Sequence, residues 1–275
     1  MSLLIADVLN DRIYAKISEH EAIHIEPASL ISEHIFHEVK HKNRTIIRKI
    51  NDVIQEEFDL KISQDIDEVL LINEDKYNLQ QKSIKAFSNV KCIYAHRGRH
   101  WFDIFDEYDE SFTEVLSQHL KTYNIHNLDG LYLIFENANV TSDNDLSIKL
   151  ANFLKTIQDN LAPNLLKKIT DEKWRFIIDG VELYLLVFSN HYPINHSRYL
   201  PLNNTISFLV QPDQTFDRFA DNDSNLITKD NKEKIRENYK KEGCIYNYSL
   251  SESSDHRAKF IKSTDTINVI NWWRN

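Results

Sequence analysis

Two stretches of this chain bring chemistry-bearing side chains close together. His37-Glu38-Val39-Lys40-His41 matches H-E-x-x-H. On a helix, His37 and His41 would stand one turn apart and could share a zinc ion, with Glu38 as general base, as in a zinc-dependent hydrolase. Lys40 and Lys42 put cations where such a helix is normally buried and neutral, and the nearest downstream carboxylates, Glu56 and Glu57, fall on the next exposed helix face. The spacing Glu21-x-x-His24 and Glu38-x-x-His41 is that of carboxylate-bridged di-iron helices. Helices turning back at Pro27 would leave His24 and His41 about 20 Å apart, so one dimetal centre does not reach both. A solvated face rich in Glu, His and Lys is the plainer reading. The second stretch is Phe188–Arg198, where His191, His196 and Arg198 follow in quick succession as an apolar run ends. A histidine at a strand end is usually a surface or capping residue, and its neighbours must raise it above that.

The elements that would position these residues differ between the two halves. Leu4, Val8, Ile13 and Ile17 predict a helix over residues 3–25, interrupted by Pro27. Ser29 or Ser32 starts a second helix carrying Ile35, Phe36 and Val39, and Ile46, Ile50, Ile54 and Phe58 make a third stripe. Residues 1–82 therefore read as a helical N-terminal region. After Ser83 the pattern changes. Val90–Tyr94 is a short β-type run, Phe112–Tyr123 is helical, and Leu131–Phe135 is an apolar strand suited to a sheet centre. Asp143 or Asp145 can cap a helix over Leu146–Ile157. Strands Trp174–Ile178 and Glu182–Phe188 flank Asp179-Gly180, a strong hairpin signal. Thr205–Val210 is a strand broken by Pro212, and Lys229–Lys241 is a charged surface helix. The fold class is α/β (α+β): a mostly antiparallel central sheet flanked by helices over residues 83–275, behind the helical N-terminal region.

Bulk composition narrows the function classes. The chain has 275 residues, 41% hydrophobic and 27% charged, which is ordinary globular material. A formal charge of −9 argues against a nucleic-acid surface, and no apolar run reaches the roughly 18 residues of a membrane span. The opening MSLLIADVLNDR is too short and acidic for a signal peptide. The two cysteines, Cys92 and Cys244, fit reduced thiols in a cytoplasmic protein. With four glycines and five prolines, turns fall mainly to Asn, Asp and Ser. A homodimer through the helical region or the Trp272-Trp273 end is one expectation, and terminal aromatics folded onto their own chain is the other.

The C-terminal half carries an ordered set of short motifs. Trp174-Arg-Phe-Ile-Ile-Asp-Gly leads through a hairpin to Phe188-Ser-Asn-His191-Tyr-Pro193, then Asn195-His196-Ser197-Arg198-Tyr199. Thr205-Ile-Ser-Phe-Leu-Val-Gln-Pro212 follows, with Phe216 just beyond, then Arg236-Glu-Asn-Tyr-Lys-Lys-Glu-Gly243-Cys-Ile-Tyr-Asn247. Upstream stands Lys91-Cys92-Ile-Tyr-Ala95-His96. This order resembles the YqcI/YcgG family over roughly residues 85–275. Lys91 replaces the family's proline, His-Pro has become His191-Tyr192-Pro193, and the paired arginines are reduced to Arg198 beside Tyr199.

Members of that family with a known role look like haem-dependent oxygenases that oxidise amine or guanidine nitrogens of amino acids such as lysine or arginine. The resemblance implies a haem iron, O2 as co-substrate and an external electron donor or redox partner. It makes His191 the expected axial ligand, with His196 its rival and Asn190 or a backbone carbonyl orienting the ring. Arg198 would meet a propionate through two parallel N–H groups, and Phe188, Tyr199 and Phe216 would pack on the macrocycle. Cys92 is expected as a pocket residue. Arg236 would receive the substrate's α-carboxylate, with Asp103, Asp106 or Glu107 facing its cation. The alternatives are the zinc hydrolase of His37, Glu38 and His41, and a non-enzymatic binding partner with an acidic face.

Overall fold

The computed structural model describes residues 3–7, 12–16, 22–25, 68–72, 74–88, 98–106, 108–219, 229–265 and 267–274. The chain divides into two units, Met1–Gln81 and Lys82–Asn275.

In the first unit, the described residues between 3 and 25 form strands where the apolar spacing predicts a helix. Strands β1 (Leu3–Asp7), β2 (Arg12–Lys16), β3 (Ala22–Ile25) and β4 (Glu68–Ile72) make one sheet in the order β3-β2-β1-β4. Strands β1 and β2 pair antiparallel from Leu3 opposite Lys16 to Asp7 opposite Arg12, and β1 pairs parallel with β4. The helical stripe was a coincidence of residues on different strands: Leu4 is on β1 and Ile13 on β2. Asn10 and Asp11, both turn formers, stand between them. His24 pairs in register with Tyr14 across β2 and β3, so it stands on a strand and not on the helix that the di-iron spacing needs; Glu21 lies outside the described residues. The two further N-terminal helices expected, with His37, Glu38, His41, Glu56 and Glu57, lie outside the described residues. Helix α1 (Glu74–Ser88) runs across the division between the units.

The second unit is built on a five-stranded sheet, β5 (His100–Phe105), β6 (Gly130–Phe135), β7 (Ile177–Ile178), β8 (Val181–Ser189) and β9 (Ile206–Pro212), in the order β5-β6-β9-β8-β7. Only the β5–β6 pair is parallel, so the sheet is mostly antiparallel, as the sequence pattern indicates. Every residue of β6 and β9 is buried, which explains their near-continuous apolar runs. One face packs under α2 (Glu110–Thr122) and α3 (Asp143–Asn160). Phe153 of α3 stacks on Phe208 of β9 at 4.1 Å, and Phe112 of α2 stacks on Phe153 at 5.0 Å. On the other face Phe102, Tyr132, Ser207 and Phe188 stand together by register, and Phe87 packs against Phe102, Tyr132 and Phe188.

Three local readings change. The cap of α3 is Ser142, whose Oγ accepts from the Asp145 N–H at 3.1 Å; Asp145 instead accepts from the Thr141 N–H and hydroxyl. Ser142 alone has the extended backbone that an N-cap requires. Strand β7 spans only two residues, because Trp174 is buried with its indole N–H donating to the Leu165 carbonyl at 2.8 Å. Strand β9 runs through Pro212, which ends the ladder opposite Leu183, a position where its missing N–H costs nothing. The Val90–Tyr94 strand lies outside the described residues.

Candidate functional site

Strand β8 carries its apolar register as far as Phe188 and Ser189, and the chain then folds back on itself. The Ser189 N–H donates to the Arg198 carbonyl at 3.2 Å, and the Leu200 N–H donates to the Ser189 carbonyl at 3.1 Å. Inside this turn the His196 N–H donates to the Pro193 carbonyl at 2.7 Å, while the Ser189 hydroxyl accepts from the His191 N–H at 3.1 Å. Pro193 presets one bend, and the short polar residues supply the bonds that a glycine-poor chain needs. The segment after α4 (Lys229–Lys241) docks here, its Ile245 N–H donating to the Asn195 carbonyl at 2.7 Å.

His191 is 16% exposed at its side chain, and its Nε2 lies 3.1 Å from Asp143 Oδ1 at the start of α3. Asp143 Oδ2 accepts from the Thr264 N–H at 3.2 Å, so one carboxylate joins the turn, the helix and the C-terminal segment. The residue expected to orient the ring, Asn190, bonds Asn203 instead. His196 is 4% exposed and stacks on Tyr192 with ring centroids 4.2 Å apart. Its Nδ1 accepts from the Arg198 N–H at 3.1 Å, so the proton of the neutral ring sits on Nε2, on the side of the Ser263 backbone. Burial, aided by the charges of Lys262, Arg198 and His191, lowers the His196 pKa to about 3. Burial likewise raises the Tyr192 phenol, with Arg198 opposing.

Arg198 is 6% exposed. Its guanidinium lies over the Phe188 ring at 5.3 Å, its Nη2 reaches the Lys259 carbonyl at 3.3 Å, and its Nη1 has no partner among the described residues. The Ser197 hydroxyl is also buried without a partner among the described residues, and those of Ser207 and Tyr132 have none beyond each other. Each such group costs about 1–3 kcal/mol when nothing replaces its water.

The residues expected around a macrocycle are only partly assembled. Phe188, His191, His196, Arg198 and Tyr199 converge on the turn. Phe216 packs on Tyr184, which stands five residues, about 17 Å of extended strand, before Ser189 where the turn begins. Arg236 forms an ion pair with Glu252, which answers its charge. Asp103 accepts from the Ile104 N–H, Asp106 is exposed, and Cys92 and Glu107 lie outside the described residues.

These residues do not fit a haem as they stand. The Nε2 of His191 is engaged by Asp143. His196 holds its proton on the nitrogen that would ligate, and Phe188 is already covered by Arg198, Phe87 and Tyr132. Two open grooves, of about 380 and 430 Å³, flank the Asp179-Gly180 hairpin at the far end of β8, and no residue of the turn lines either. Among the described residues no group of three or more His, Cys, Asp and Glu is placed to hold a metal ion.

Sequence reasoning missed Asp143, Tyr192, Lys262, Ser207 and Tyr132. Ser207 and Tyr132 were the legible ones, as polar groups inside otherwise apolar strands; the others need the chain's long-range folding. Among the described residues no helix is long and apolar enough to cross a membrane. Comparison with known proteins finds no family model, no curated protein and no solved structure that matches this chain.

Proposed function

We propose that this chain is an enzyme that oxidises a nitrogen of a lysine- or arginine-like amino acid at turn 189–199. The ordered motifs from Trp174 to Asn247 support the reaction class. The observation that supports the site is the convergence of His191, His196, Arg198 and Tyr199 with Phe188 on one turn tied to α3 and the C-terminal segment. In this reading Asp143 holds the His191 ring, Tyr192 and Phe188 exclude water, and Arg198 supplies a fixed positive charge. The resemblance calls for a haem, O2, an electron-donating partner and a cytoplasmic setting. The histidines of the turn, one held by Asp143 and the other protonated on its outer nitrogen, do not fit axial ligation.

The test is an absorption spectrum with iron and zinc analysis of the purified protein, before and after addition of hemin. A Soret band with stoichiometric iron or bound hemin would support the oxygenase reading. The band should survive His191→Ala, since that ring is held by Asp143; its loss would mean that the ring turns to the iron. A colourless protein that binds no hemin overturns the oxygenase reading. Stoichiometric zinc lost in His41→Ala would replace it with the hydrolase, and a co-purifying protein without metal would replace it with a binding role.

A further inference from the structure

We propose that Arg198, with the hydroxyls of Ser207 and Tyr132, forms a carboxylate-binding site on the face of the five-stranded sheet opposite α2 and α3. The proposal deepens the reading above by naming the group through which a substrate is held, and it rests on that reading only for the identity of the substrate.

Three other arginines of this unit, Arg257, Arg175 and Arg236, are each met by a carboxylate. Arg257 is equally buried and is met by both oxygens of Asp255 and by the Ile169 carbonyl. Arg175 meets Glu182, and Arg236 meets Glu252. Among the described residues Arg198 has no carboxylate, one long bond to a carbonyl, and an unpartnered Nη1. The surrounding charge does not answer it. Lys262 is a second buried cation whose charge acts with that of Arg198 on His196, and the nearby carboxylate of Asp143 is engaged by His191 and Thr264.

The missing partner has a definite chemistry. Ser207 faces Phe188 across the β8–β9 ladder, Arg198 lies over the same Phe188 ring, and Tyr132 stands 5.9 Å from it, ring to ring. The Ser207 and Tyr132 hydroxyls are buried side by side, and a bond between them opposes the burial that raises the Tyr132 phenol; among the described residues neither has any other partner. The Arg198 Nη1 and the one hydroxyl proton that a Ser207–Tyr132 pair leaves over are donors in want of an acceptor. A carboxylate offers two oxygens with several lone pairs and pairs with guanidinium as a fork. The carboxylate can come from a free amino acid or from a haem propionate.

Thermal shift and calorimetry on the full chain test this. L-lysine and L-arginine are compared with cadaverine and agmatine, which lack the carboxylate, and hemin with its dimethyl ester, on wild type, Arg198→Met and Arg198→Lys. The expected result is stabilisation by the carboxylate-bearing member of a pair only, an affinity about tenfold or more lower in Arg198→Met, and partial recovery in Arg198→Lys. Without ligand, Arg198→Met should keep or raise the Tm, because it removes a buried charge that nothing compensates. Equal responses to both members of each pair, or an unaltered response in Arg198→Met, overturn the site. If Arg198→Met does not fold, Arg198→Lys decides: binding equal to wild type overturns the proposal. Response to hemin but not to amino acids keeps the site and assigns it to a propionate. A Soret band without carboxylate preference leaves the oxygenase reading standing and sinks this one.

Discussion

His196 and Arg198 sit two residues apart in the turn, and burial acts on them in opposite ways. The imidazole loses its proton and stays neutral, its pKa pushed down to about 3. The guanidinium cannot deprotonate, so it keeps its charge and wants an anion. His119 and His100 share the fate of His196: burial takes each to about 4, with His100 further lowering His119, and Asp129 opposing the change at His100. An unfolded histidine titrates near 6.5. As pH falls below that value the unfolded chain takes up protons that the folded chain refuses, so stability is full above about pH 6.5 and declines toward pH 4. His196 and His119 each contribute on the order of 1.4 kcal/mol per pH unit within that window. Urea midpoints at pH 7, 6 and 5 should therefore fall in order, and His196→Gln should flatten the decline; a level profile would contradict these burials.

Among the elements, the β7–β8 hairpin was the most legible. Ile178 pairs with Val181 across a two-residue turn in which Asp179 has φ +47° and Gly180 φ +80°. Both signs suit the twist of the flanking strands, which is why Asp-Gly is favoured there. A Cβ at Gly180 would meet nothing within 4 Å, so the residue serves conformation and not space. Gly180→Val should cost about 1–2 kcal/mol, the penalty of left-handed backbone for a side chain, read as a lower urea midpoint with an unchanged slope. An effect within error would mean that the turn relaxes. The N-terminal strands were the least legible element. Short strands of Leu, Ile, Val and Ala can mimic a helical stripe when their spacing falls right, and only pairing partners separate the two. Strand β4, which pairs with β1, stands more than 60 residues from it along the chain.

Across the whole molecule, the C-terminus is part of the second unit's core. Trp272 is 2% exposed, stacks on Phe260 with centroids 5.8 Å apart, and donates its indole N–H to the Arg257 carbonyl at 2.9 Å. Arg257 in turn lies 4.4 Å from the Trp273 ring. Of the two expectations for the terminal aromatics, Trp272 follows the one in which they fold onto their own chain. Trp272→Ala should cost about 3–5 kcal/mol, seen as a large fall in Tm, whereas a loss below about 1 kcal/mol would mean that the terminus is not packed there. The sequence by itself determined the α/β class, the antiparallel majority of the sheet, helices over 112–123, 146–157 and 229–241, and a strand exit over 188–198, because those follow from local periodicity and turn chemistry. Tertiary structure alone decided what the turn's residues do. Asp143 reaches His191 from 48 positions away, Lys259 meets Arg198 from 61 away, and the face that gathers Ser207, Tyr132 and Phe188 exists only through strand register. Pairing across such distances leaves no periodic trace in the chain, since each partner satisfies its own local element before the fold brings the two together.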